Sequence, residues 1–68
     1  MTELEKLRRR LRLTPLEMAE AIDVTRDYYY TIESGRKPIS AGLALYIVDR
    51  WPGTKLNALL RSGREEAA

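Results

Sequence analysis

Apolar residues along this chain recur at intervals of three and four, the spacing of helices that bury one face. Leu4, Leu7 and Leu11 form the first stripe, and Thr2 with Glu5 makes a capping box ahead of it, which predicts a helix over 2–12. Met18, Ala19 and Ile22 form the second. Thr14 suits its N-cap, Pro15 its first position, and Glu17 completes a capping box, which predicts a helix over 15–22. Tyr29 and Ile32 mark a third over 26–34, between an N-cap at Thr25 and a C-cap at Gly35. Leu43, Ala44, Ile47, Val48 and Trp51 share the inner face of a fourth helix over about 41–51, capped by Ser40 and ended by Pro52-Gly53. A short fifth helix is expected from Thr54 to Leu60 or Arg61, with Leu56, Leu59 and Leu60 as its apolar edge. The fold class is therefore all-α, with one domain over 1–61 and a polar, charged tail over 62–68 expected to fray.

The second and third helices are too short to stand alone in water and must lean on each other and on the remaining chain. On the third, Arg26 and Tyr30 are four apart, as are Asp27 and Thr31, and these four share the side opposite Tyr29 and Ile32. Such a face suits the major groove of duplex DNA. Arginine donates twice to guanine, aspartate accepts from cytosine, and threonine touches a thymine methyl. Arg26, Asp27, Tyr30 and Thr31 are the candidate base-contacting residues. Asp27 has a second reading, as an acid favoured at a helix N-terminus. The run Tyr28-Tyr29-Tyr30 cannot serve one role, since successive helical side chains point about 100° apart. Tyr29 belongs to the core and Tyr30 to the DNA face. Tyr28 either meets a phosphate or packs on the end of the first helix. The plainer reading of all three is local aromatic packing. The positive end of the second helix lies near Pro15 and Leu16, and proline has no amide hydrogen, so Leu16 is the first donor there to a phosphate.

Composition narrows the chemistry. Sixty-eight residues allow a small core only. Without cysteine there is no disulfide or thiolate metal site, and without histidine the commonest general base and zinc ligand are missing. Ser34, Ser40 and Ser62 thus lack an activating imidazole, the acids are scattered over caps and exposed faces, and no glycine-rich phosphate loop occurs. The chain reads as a non-enzyme, with no metal, no cofactor and no small-molecule substrate. No apolar run approaches the ~20 residues of a membrane span, so a cytoplasmic protein is expected. The net charge of +2 identifies no partner, but its distribution is uneven. Lys6, Arg8, Arg9, Arg10 and Arg12 crowd the first twelve residues, and Arg36 with Lys37 follows the third helix. Arg9, Arg10 and Arg12 either reach phosphate or form a solvated face.

The order Thr14-x-x-Glu17-Met18-Ala19, Val24-Thr25-Arg26, Ile32-Glu33-Ser34-Gly35-Arg36-Lys37-Pro38 resembles the helix-turn-helix core of the phage-repressor-like (XRE, or Cro/repressor) family over residues 4 to about 51. That resemblance implies a five-helix lambda-repressor-like domain. It also implies a phosphate clamp at Arg36 and Lys37; Thr25, Tyr28 and Ser40 are further candidate phosphate contacts. An Arg at the place of Arg8 pairs, in that family, with the Glu at Glu33; the plainer reading of Arg8 is one more solvated arginine. The chain departs from the pattern at Pro15, where glutamine usually contacts phosphate, and at Asp23 and Arg12, where glycine is usual or frequent. Aspartate tolerates a left-handed backbone better than most residues.

One helix reads few base pairs, so useful selection calls for a homodimer on a near-palindromic site. Leu45, Tyr46, Leu59 and Leu60 are candidates for the dimer interface. By analogy the role expected is a repressor of a small phage-like or mobile-element-like operon, its own included. The alternatives are an antitoxin, activator or excision factor on the same fold, or a protein-interaction module without specific DNA binding.

Overall fold

Four hydroxyl groups start four helices. In the computed structural model, which describes the backbone of residues 2–67 and the side chains of residues 2–61, Thr2, Thr14, Thr25 and Ser40 hold extended backbone just ahead of a helix. Each side-chain oxygen accepts the amide hydrogen three residues on, at 3.2 Å. The elements are α1 (Glu3–Leu11), α2 (Pro15–Ala21), α3 (Arg26–Glu33), α4 (Ala41–Arg50) and α5 (Leu56–Ala67). At α2 the box closes both ways: the Thr14 amide donates to Glu17 Oε1 at 2.8 Å. That bond holds the Glu17 carboxyl below its usual range. At α1 the Glu5 carboxylate pairs with Arg9 at 2.9 Å.

Three helices end alike. Arg12, Asp23 and Gly35 adopt left-handed backbone, with φ of 60°, 58° and 84°. Each reverses the chain so that the next amide returns to the last helical turn. Leu13 donates to the Arg8 carbonyl at 3.2 Å, Val24 to Ala19 at 3.0 Å, and Arg36 to Thr31 at 3.1 Å. These bonds satisfy carbonyls that a helix end leaves without partners. Only one of the three positions is glycine; the other two carry the strain of a Cβ in this region.

The helices enclose one core. α1 packs on α3 and α5, α2 on α3, and α4 on α5. Leu4 and Leu7 from α1, Met18 and Ala19 from α2, Tyr29 and Ile32 from α3, and Ala44 and Ile47 from α4 are all buried. Ile22, Ile39 and Leu59 complete the set, and Leu11, Leu43, Leu56 and Trp51 pack around it.

Three expectations require correction. Thr54 does not begin the last helix. Its amide and its hydroxyl both donate to the Trp51 carbonyl, at 3.2 and 2.8 Å, so it closes the turn after α4, and α5 begins at Leu56. Leu59 is not a dimer residue: it is only 2 % exposed and sits among the core side chains, so it has no surface to offer. The α5 backbone continues to Ala67, beyond the expected end at Leu60 or Arg61. The side chains of the expected tail, 62–68, lie outside the described residues.

Candidate nucleic-acid interface

The third helix is fixed from behind before it can present anything in front. Glu33, its last residue, is buried at the contact with α1. Arg8 Nε donates to Glu33 Oε1 at 2.6 Å, and the same oxygen accepts the Tyr29 hydroxyl at 3.0 Å. Arg8 also donates to the Leu13 carbonyl at 3.0 Å, which ties the turn after α1 to the same guanidinium. Thr2 Oγ1 donates to the Glu33 carbonyl at 2.6 Å. Burial pushes the Tyr29 hydroxyl well above its ordinary range, and the Glu33 carboxylate adds to the shift. The Glu33 hydrogen bond raises Arg8 further, so the guanidinium stays charged. A largely buried ion pair of this kind gains from its geometry only when its remaining donors and acceptors are met. Here they are: no buried side-chain nitrogen or oxygen among the described residues lacks a partner.

In front, Arg26, Asp27 and Tyr30 are exposed and Thr31 is half-exposed. Tyr30 shows 48 % of its surface, while Tyr29 beside it shows none, the 100° step between neighbours dividing the two rings as helical geometry requires. Asp27 is 95 % exposed, and its contact with Arg26 is loose at 4.0 Å, so solvent holds both groups. The Thr31 hydroxyl donates to the Asp27 carbonyl at 2.9 Å. Its hydrogen is therefore committed to the helix itself, and the side chain keeps only lone pairs and a methyl for an outside partner.

The flanking residues divide into two kinds. Thr25 and Ser40 accept from their own helices through a lone pair, which leaves each hydroxyl hydrogen free to meet an anionic oxygen. Leu16 projects an exposed side chain from the first turn of α2, and Arg36 and Lys37 are exposed in the loop beyond α3. Tyr28 is half-buried and packs toward α4, not toward the end of α1: it lines a cleft of about 470 Å³ with Val24, Leu43 and Tyr46. Of the interface candidates, Leu45 and Tyr46 are exposed on α4, and Leu60 packs partly against the core.

One participant escaped the sequence reading. Ser34 lines a cleft of about 420 Å³ on the α3 face, together with Asp27, Tyr30, Thr31 and Arg36. Its hydroxyl donates to the Thr31 carbonyl at 3.0 Å. The spacing of Ser34 from Tyr30 and Thr31, four and three residues, carries the signal that places it there.

A helix buried on one face and pinned at its far end, preceded by a shorter helix and a tight left-handed turn, defines a helix-turn-helix. A family model described as a helix-turn-helix domain matches residues 2–50, and the chain belongs to that family. Comparison with curated proteins and with solved structures gives no match. Among the described residues, no helix is long and apolar enough to cross a membrane.

Proposed function

We propose that this chain is a sequence-specific double-stranded DNA-binding regulator of transcription, acting as a dimeric repressor on a near-palindromic operator in the cytoplasm. The observation that carries this reading is the division of α3 into two faces. One face is locked to α1 through Glu33 and to the core through Tyr29 and Ile32. The other holds Arg26, Asp27, Tyr30 and Thr31 toward solvent. A rigid polar helix face of this chemistry fits the edges of base pairs in the major groove.

Phosphate contacts from the Leu16 amide, Thr25, Tyr28, Lys37 and Ser40 set its register. Leu45 and Tyr46 supply the dimer surface, and half-sites lie about 34 Å apart. The chain performs no catalysis in this role; by covering a promoter it blocks transcription. Selection of binding sites from random duplexes tests the reading. Recovery of one sharp inverted repeat is the expected result. Recovery of unselected sequences at every salt concentration overturns it and favours a protein-interaction module.

A further inference from the structure

Resting on the reading that α3 enters the major groove, we propose that Arg36 reads a guanine instead of gripping the backbone. Sequence adjacency groups Arg36 with Lys37 as one basic pair, but the backbone separates them. Gly35, at φ 84°, turns the chain back, and the Arg36 amide donates to the Thr31 carbonyl at 3.1 Å. That bond seats Arg36 beside the last turn of α3. Its side chain lines the same cleft as Asp27, Tyr30, Thr31 and Ser34, which Lys37 does not line.

Within that cleft the neutral hydroxyls of Thr31 and Ser34 are bound to the helix backbone. The Arg36 guanidinium is exposed and forms no ion pair among the described residues. The cleft therefore presents an acceptor, Asp27, toward the start of α3 and a planar two-pronged donor, Arg36, at its end. Guanine O6 and N7 match that fork, and a lysine offers only a point charge in its place. Phosphate, by contrast, accepts either cation.

The test compares Arg36→Lys with the unaltered protein on the operator selected from random duplexes, and on copies changed one base pair at a time. The expected result is a loss of about tenfold or more on the operator, a loss that vanishes on the copy changed at a single G·C pair. The salt dependence should stay the same, because the charge is kept. Lys37→Ala should weaken all copies alike. If Arg36→Lys matches the unaltered protein on every copy while Arg36→Ala weakens all of them equally, Arg36 is a phosphate contact and the proposal falls. If the unaltered protein itself selects no sequence, the regulator reading falls with it.

Discussion

Arg8 and Glu33, twenty-five positions apart, meet at 2.6 Å between the middle of α1 and the last residue of α3. Their side chains are 14 % and 11 % exposed, so the pair is largely withdrawn from water. Removing one partner strands the other. Arg8→Ala should destabilise the fold by about 3–5 kcal/mol, read by urea denaturation. Changing Arg8 and Glu33 together to apolar residues should cost less than the sum of the single changes, because no charge is left unpaired. Additive losses would mean that the two groups do not depend on each other.

Tyr29 predicts a response to alkaline pH. Its folded-state pKa is raised, chiefly by burial and then by the Glu33 carboxylate. The stability it contributes is fully present below about pH 10, the range of a free tyrosine. As pH rises beyond that, the unfolded chain releases the proton while the folded chain retains it, and stability falls. Tyr29→Phe should be about 1.5 kcal/mol less stable at neutral pH, through the lost hydrogen bond. It should also show a shallower decline between pH 10 and 11, measured by denaturant midpoints.

Arg12 is a non-glycine residue held at φ 60°. A left-handed backbone costs an L-residue about 1–2 kcal/mol, partly offset by the greater freedom that glycine has when unfolded. Arg12→Gly should therefore stabilise the protein by about 0.5–1 kcal/mol, and raise Tm by roughly 4 °C. Asp23, at φ 58°, should gain less, since aspartate tolerates this region. A fall in Tm for Arg12→Gly would show that its side chain does more for the fold than its backbone strain takes away.

Arg26 and Lys37 should fail in different ways. Arg26→Ala should lose about 1–3 kcal/mol on the operator and relax the preference at one base pair. Lys37→Ala should weaken every sequence equally and reduce the salt slope by about 1. Titrations over a salt series separate the two; identical behaviour would erase the distinction between reader and clamp.

Leu45 and Tyr46 are 56 % and 44 % exposed on adjacent positions of α4. A charge there should disturb association and spare the monomer. Leu45→Glu should leave the helical circular dichroism unchanged and shift sedimentation toward monomer. Binding to a full operator should then weaken, while binding to an isolated half-site should not. An unchanged sedimentation profile would move the dimer surface elsewhere.

Local signals made much of this fold legible. Thr14, Pro15 and Glu17 announce α2 because a capping box is built within four residues, and its apolar positions then follow from helical period alone. Tyr29 and Tyr30 were separable for the same reason. The pairing of Arg8 with Glu33 was not readable from period or charge, because nothing local links α1 to the end of α3; it came only through family resemblance. Thr54 misled because a threonine before an apolar run looks like an N-cap, yet a turn donor to Trp51 has the same sequence signature. Leu59 and Leu60 are neighbours on one edge of α5, and only the position of the facing helices decides which of them is enclosed. Arg36 and Lys37 looked equivalent until Gly35 set the path of the chain between them.

Thr2 is almost wholly enclosed, and its hydroxyl is bonded to the Glu33 carbonyl at the end of α3. The start of α1 and the last turn of α3 are thus latched together by one small hydroxyl, so even a change as slight as Thr2→Val is felt at the far end of a helix thirty-one positions away.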